Sequence, residues 1–464
     1  MQSDISGIDS LIAFRNSRGL SGRGTVLHVT RSLVVFEVYN PYSIIQMSEV
    51  LQELQILRGE RTLYAGRAVI SNIVATGLML IVSATLVDNW SDLAGLKPGE
   101  GLREEVQGFV KQWEATNTIR PAFQVAVGRL RGFLADLNRW LEQIEVAANQ
   151  KENQGLEVQR AFCEEVEGPL APKITDLFQH FEYEAENLAI EERNAHRSYS
   201  RRELHPLILC SPFVHRSFTK PLGYAGDYQM VNMMLFPPLD GSSTYAKVVN
   251  TWCLRQGAPA AHRNRIDMLI EILHKEAARV ANRPEPLKIM NIGCGPAAEI
   301  QQFVREDPLS EHCDFRLMDF NEETITYADK KIKESIQSVK RGTKITFMHK
   351  SVDELLKEVA GLKETLPPNS FDLVYCAGLF DYLSDRTCKR LMSHFYTWAA
   401  PGGLVVGTNV HKNNPVRHFM EHLMEWHLIY RDEAKMAALT PVPGVVRCDV
   451  SGINVFVEVR KGES

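Results

Sequence analysis

Leu287-Lys-Ile-Met-Asn-Ile-Gly-Cys-Gly-Pro-Ala-Ala-Glu299 is the stretch whose reading decides the fold. Its apolar run breaks at Gly293-Cys294-Gly295 and resumes through Pro296, Ala297, Ala298 and Ile300. The run reads as a buried parallel strand, and Pro296 suits the first turn of a helix, where a missing N–H is harmless. Gly293 and Gly295 let the backbone turn sharply and let a ligand lie against bare main chain. Strand, glycine turn and helix N-terminus together predict a cradle for a nucleotide or an anion.

Downstream, strand and helix alternate. Phe315 to Asp319 reads as a strand ending in an acid, and Thr324 to Ile336 as a helix. Ile345 to Met348, Phe371 to Ala377 and Gly403 to Thr408 read as further strands, with helices over Val352 to Val359 and Ser384 to Ala399 between them. Repeated units of this kind predict a Rossmann-like α/β domain, a mostly parallel seven-stranded sheet covered on both faces. The close differs: Val445 to Val450 and Ile453 to Val459 flank Ser451-Gly452, which predicts a terminal antiparallel hairpin.

Upstream, residues 1–95 carry β-rich runs at Gly24–Val29, Leu33–Val38, Thr62–Val69 and Leu78–Val82, separated by turn signals, which predicts a small β-barrel or sandwich. This segment resembles a PilZ domain, a bacterial module that binds cyclic di-GMP through an R-x-x-x-R pair and a D/N-x-S-x-x-G turn. Here Arg15, Arg18 and Arg23 are differently spaced and Thr30-Arg31-Ser32 replaces the turn. The departures favour a solvated basic loop on a structural barrel over a cyclic dinucleotide site. Asp92 to Glu100 reads as a linker. Residues 101–200 then show helical spacing, first at Val106, Phe109, Val110 and Trp113, then from Phe123 to Leu141. Two more helices are expected over Val158–Val166 and Ile174–Ile190, separated by a break at Pro169 and Pro172. The aromatic stripe suits a core or the seam of a homodimer. Residues 201–464 form the α/β domain with a lid segment over 201–280. Within it, residues 205–232 are rich in Pro, Gly and aromatics and read as an ordered loop lining a site.

Composition narrows the function. The 464 residues are 44% hydrophobic and 23% charged, which is ordinary for a globular protein of two or three domains. A net charge of -5 gives no electrostatic reason to expect nucleic acid. The apolar run from Leu78 is broken by Ser83, Thr85 and Asp88, too short to span a bilayer, and no basic-then-apolar signal opens the chain. Eight cysteines without a C-x-x-C pair suit a reducing cytoplasm and no metal site.

Gly293-x-Gly295-x-x-Ala298 formally satisfies the dinucleotide fingerprint, and Asp319 stands 24 residues beyond Gly295, where an acid accepts ribose hydroxyls. NAD and S-adenosylmethionine would both use that acid. The glycine turn, Leu317-Met-Asp319-Phe320, Phe371 to Ala377 with downstream Asp381-Tyr-Leu, and the terminal hairpin resemble the successive motifs of class I methyltransferases, which favours S-adenosylmethionine. Acidic and aromatic residues at the strand ends also suit a sulfonium better than a pyrophosphate. The resemblance implies a cofactor site made of Gly293, Cys294, Gly295, Pro296 and Glu299 at the methionine end. It puts Asp319 on the ribose, Phe320, Val352 and Asp353 around the adenine, and Ala377 and Gly378 under the methionine.

Residues from about 200 to 460 further resemble a bacterial branch of these enzymes described as making the methyl ester of 3-hydroxypalmitic acid, a quorum signal. The matching signatures are Lys220-Pro-Leu-Gly-Tyr-Ala-Gly-Asp-Tyr228, Ala261-His-Arg-Asn-Arg265, Cys294 to Glu299, Asp381-Tyr-Leu383 and Trp426-His-Leu-Ile-Tyr-Arg431. The branch implies a small-molecule fatty-acyl substrate methylated at its carboxylate. An ionised carboxylate needs positioning and no general base. Tyr224, His411, Arg417 and Arg431 are the candidates for that task, with Tyr430 beside them, and a helix over Val416–Leu439 would wall the acyl chain. For a hydroxyl or amine acceptor, His411 or Asp381 would be the base. Two other readings stay open: a non-catalytic nucleotide-sensing scaffold and an NAD-dependent oxidoreductase.

Overall fold

The computed structural model describes residues 10–463, apart from 18, 31, 39–44, 59–60, 77–78, 89, 91–102, 104–105, 108–109, 112–113, 115–117, 149–155, 190–191 and 358–365. Arg18, Arg31, Phe109, Trp113 and the linker at 92–100 therefore lie outside the described residues, as does the side chain of Asp353.

Six strands close an antiparallel barrel: β1 (Ser10–Arg15), β2 (Ser21–Val29), β3 (Leu33–Val38), β4 (Val50–Arg58), β5 (Arg61–Thr76) and β6 (Met79–Leu86), in the order β1-β2-β3-β6-β5-β4 with β1 returning to β4. Alternation decides which face is inside: Val34, Phe36 and Val38 of β3 are buried and their neighbours are not. The sequence runs omitted β1 and β4. Residues 45–50 leave the barrel and clasp the rest of the chain. Met47 N–H donates to the Tyr382 carbonyl at 3.3 Å and Val50 N–H to the Gly223 carbonyl at 2.8 Å.

The helices that follow are α1 (Pro121–Ala148), α2 (Leu156–Glu186), α3 (Arg193–Ile208), α4 (Pro212–Thr219), α5 (Tyr228–Leu235), α6 (Thr244–Leu254) and α7 (Gly257–Val280). Two expectations are corrected. Pro169 and Pro172 do not break α2, which runs through both. Both prolines lie on its exposed face, where water takes the carbonyls they free, while Cys163, Ile174, Phe178 and Phe181 hold either side in one core. Residues 205–232 are not one loop: Ser211 caps α4 with Pro212 at its first turn, and Asp227 caps α5, leaving a short turn at 220–227. The apolar stripe of α1 packs inward, with Phe123, Leu130 and Leu137 sharing a core with Phe181, Trp252 and Phe419. Phe178 stacks on Trp252 at 4.5 Å.

The sheet comprises β7 (Leu287–Ile292), β8 (Cys313–Asp319), β9 (Lys344–His349), β10 (Phe371–Cys376), β11 (Ala399–Val410), β12 (Val445–Cys448) and β13 (Asn454–Arg460), in the order β12-β13-β11-β10-β7-β8-β9. The five strands from β11 to β9 run parallel, and β13 is antiparallel to both neighbours. From β7 the chain continues to β8 on one side, with β10 on the other, so the strand order reverses at β7 and opens a crevice there. Around the sheet lie α8 (Ala298–Glu306), α9 (Glu322–Val339), α10 (Val352–Lys357) and α11 (Asp385–Trp398). The helix expected over Val416–Leu439 is two short ones, α12 (Arg417–Leu423) and α13 (Glu433–Ala437). Glu425 adopts φ 51, which stops α12, and the irregular stretch that follows turns Trp426 and Leu428 toward the crevice. No described helix is long and apolar enough to cross a membrane.

Between α3 and α12 lies a buried basic cluster: Arg197, Arg201, Lys220, His422 and His427, with Glu425 paired to Arg201 at 2.9 Å. Burial, then the neighbouring Arg197, drives the His422 and His427 imidazoles well below their usual range. The His422 ring packs as an aromatic, edge-on to Phe181 at 5.7 Å. Both rings are neutral when folded and take up protons when unfolded. Their contribution to stability is therefore present above about pH 6.5 and falls as pH drops below it, by up to about 1.4 kcal/mol per histidine per pH unit. Denaturant melts of His422→Phe between pH 7.5 and 5 should show a shallower acid decline than the parent; parallel curves would refute this.

Candidate functional site

Three residues of the turn after β7 have left-handed backbone, Gly293 at φ 69, Gly295 at φ 53 and Ala297 at φ 51. Pro296 accordingly precedes the helix: Ala297 is the cap and α8 begins at Ala298. The turn is bolted to β8. Gly293 N–H and Cys294 N–H donate to the Met318 carbonyl at 2.8 and 3.0 Å. Gly295 N–H donates to Asp319 Oδ2 at 3.0 Å, and Asn321 N–H to Oδ1 at 3.0 Å. Burial pushes the Asp319 carboxyl up, and these N–H groups pull it back toward the ionised form.

At the other side of the crevice Glu299 Oε1 accepts from Tyr375 Oη at 2.8 Å and Asn291 Nδ2 at 3.1 Å, a buried triad joining α8, β10 and β7. Tyr224 lies against Phe320 with ring centroids 5.1 Å apart, closing the end beside Asp319. Gly226 has φ 72, and a Cβ there would stand 2.5 Å from Tyr382 Oη, which accepts from Trp426 Nε1 at 3.0 Å. The tight turn at 223–226 can thus lie over the mouth.

One cavity with about 1560 Å³ of empty space, open mouth included, is lined by Tyr224, Gly293, Cys294, Gly295, Pro296, Glu299, Asp319, Phe320, Val352, Ala377 and Gly378. Its other half is apolar, walled by Val231, Met234, Val416, Phe419, Met420 and Leu428. Of the acyl-wall residues expected on the Val416–Leu439 segment, Phe419, Met420, Met424 and Leu428 line it, while Leu423 is in the core behind.

Three of the residues expected to position an acceptor do not reach this cavity. Arg431 is fully buried and engaged: Nε and Nη2 meet Asp385 at 2.9 and 2.7 Å, Nη1 donates to the Phe380 carbonyl and Asn409 Oδ1, and Nη2 also donates to the Leu383 carbonyl. It braces the 380–385 turn. His411 Nδ1 accepts from Asn413 N–H at 3.1 Å and Nε2 faces Glu433 at 3.2 Å. Arg417 pairs with Glu421 at 2.8 Å and covers the Tyr430 ring. The cavity instead holds Arg265 and His262 of α7, Asp381, and Gln46 from beside the barrel. Asp381 Oδ1 accepts from Val410 N–H at 2.6 Å, and burial pushes its carboxyl up to about 6. His262 and Arg265 are three apart within the Ala261–Arg265 signature, so one helix face carries both; that spacing was visible, the direction of the face was not. Among the described residues no group of three metal-ligating side chains stands together.

The sheet order, the glycine turn at the strand-order reversal and the closing hairpin are those of the Rossmann-like α/β domain expected from the sequence. Residues 289–403 match a family of methyltransferase domains. Solved structures similar to the chain include a possible exported protein from Bordetella parapertussis (14% identity, 54% of this chain and 86% of that one, TM-score 0.38). Magnesium protoporphyrin IX methyltransferase from Synechocystis with bound SAH shares 13% identity over 44% of this chain and 84% of that one, with TM-score 0.31. An O-methyltransferase family protein from Burkholderia thailandensis shares 13% over 44% and 60%, with TM-score 0.30. No curated protein matches the chain.

Proposed function

We propose that the protein transfers a methyl group from S-adenosylmethionine to the carboxylate of an apolar acid, a 3-hydroxy fatty acid. The observation that carries the reading is the continuity of one cavity from the Gly295–Asp319 crevice into an apolar chamber. The residues fit the cofactor. Beyond its two chain neighbours no residue stands within 4 Å of where a Gly295 Cβ would be, and Gly295 lines the cavity, so the turn leaves open space for a ligand against its main chain. Asp319 would hold the ribose, and Phe320 and Val352 would flank the adenine. A dinucleotide fits less well, because the turn N–H groups that a pyrophosphate needs already donate to Met318 and Asp319. Acidic Glu299 also stands in the first turn of α8.

When bound, the cofactor supplies an electrophilic methyl carbon on a sulfonium sulfur. The chain's own residues bind and align. An ionised carboxylate would need only to be held in line with that carbon by the chain's own residues, with no base to take a proton. Gln46, Tyr224, Ala225 and Gly226 line the cavity beside that carbon's expected path. Calorimetry with S-adenosylhomocysteine should show binding, and lipid extracts given labelled cofactor should yield a fatty-acid methyl ester. Binding without any labelled lipid would leave a scaffold; no binding would remove the methyltransferase reading.

Gly295→Ala isolates the cradle. The added methyl meets no protein atom, so thermal stability should drop only by the left-handed penalty, about 1–2 kcal/mol. Cofactor affinity should fall at least tenfold, measured by the same calorimetry. Equal affinities would place the ligand elsewhere.

A further inference from the structure

Arg265 is 6% exposed, yet its Nε and Nη1 meet no hydrogen-bond partner among the described residues. A buried guanidinium without partners is rare, because desolvation goes uncompensated. The nearest acids do not supply the bonds: Asp381 Oδ1 is taken by Val410 N–H and Glu299 Oε1 by Tyr375 and Asn291. They act on Arg265 only as charges, which favour its protonated form against the effect of burial. The group lies against the tip of β10, where a Cβ on Gly378 would come within 3.0 Å of Nη1. It thus stands where the crevice meets the apolar chamber, and Ala258, Pro259, Ile266 and Leu269 of its own helix continue the apolar wall.

One turn earlier on α7, His262 Nδ1 faces the Ala258 carbonyl at 3.1 Å. A carbonyl only accepts, so Nδ1 carries the proton and Nε2 keeps its lone pair. Burial, then Arg265, drives this imidazole well below its usual range, which keeps the ring neutral. Nε2 has no partner among the described residues and the ring lines the cavity.

We propose that Arg265 is the carboxylate receptor for the methyl acceptor and that His262 accepts a hydrogen bond from a hydroxyl close to that carboxylate. This rests on the methyltransferase reading above and deepens it by assigning the residues that hold the acceptor's head group. Residues three apart on a helix stand about 5–6 Å apart at Cβ, near enough for a head group carrying both functions. The pairing also gives a release step: esterification removes the acceptor's charge, so the receptor holds substrate and lets product go.

The test is equilibrium binding to the full chain saturated with S-adenosylhomocysteine, with palmitate, 3-hydroxypalmitate and its methyl ester as probes. The parent should bind the free hydroxy acid at least tenfold tighter than the ester. Arg265→Met should weaken the free acid about thirtyfold and leave S-adenosylhomocysteine within threefold. Arg265→Lys should restore part of the loss. His262→Phe should erase the preference for 3-hydroxypalmitate over palmitate. Equal affinity of the parent for acid and ester overturns the proposal without any variant, should Arg265→Met fail to fold. So does an Arg265→Met that weakens S-adenosylhomocysteine but not 5′-methylthioadenosine, since the receptor would then serve the cofactor's own carboxylate. If the parent binds no S-adenosylhomocysteine at all, the methyltransferase reading fails first.

Discussion

Arg431→Met should destabilise the protein by about 3–5 kcal/mol, the largest effect of any single change considered. The guanidinium is fully buried, and removing it leaves the Phe380 and Leu383 carbonyls and Asn409 Oδ1 without a donor in a site water does not reach. Its salt-bridge partner Asp385 is largely exposed and can be solvated, so the loss comes from the unpaired carbonyls and the emptied volume. The denaturant midpoint should fall sharply. Arg417→Met, which leaves the buried Glu421 carboxylate without its arginine, should lower it as well, though fewer acceptors are orphaned there. An Arg431→Met protein that melts like the parent and loses only turnover would show that the arginine acts on substrate after all.

Asp319→Ala should weaken cofactor binding by roughly 1–3 kcal/mol, about a factor of five to a hundred or more. Two effects add. The ribose loses its acceptor, and the Gly295 and Asn321 N–H groups lose theirs, so the glycine turn is no longer pinned to β8. Asp319→Asn separates them: the amide oxygen retains one of these bonds while the amide nitrogen faces the other donor. Its affinity should lie between the parent and Asp319→Ala by calorimetry with S-adenosylhomocysteine. Unchanged affinity in both would move the ribose away from this carboxylate.

What the sequence disclosed was what short-range pattern can encode. The turn at Gly293–Gly295 and Asp319 at a strand end are set by local backbone needs, and every described residue expected at the cofactor lines the cavity. Errors arose where solvent or tertiary packing decides. Pro169 and Pro172 read as a break because their freed carbonyls look costly, yet those carbonyls face water. Glu425 ends α12 in a left-handed conformation with no glycine to announce it. Arg265, Arg417 and Arg431 are indistinguishable as letters. Only the three-dimensional partners show that two are satisfied and one points into the cavity unpaired.

The clasp at residues 45–50 bears on how such a protein diversifies. Gln46 stands in the wall of the cavity, and Met47 and Val50 tie that wall to Tyr382 and Gly223. A unit cut out at 289–403 would keep the Gly293–Gly295 turn and Asp319 and lose Gln46, Val231, Met234, Val416 and Phe419 from the cavity wall. Exchange of the N-terminal module would change the wall at Gln46 and leave that turn untouched, so the two ends of the cavity can vary at separate addresses in one gene.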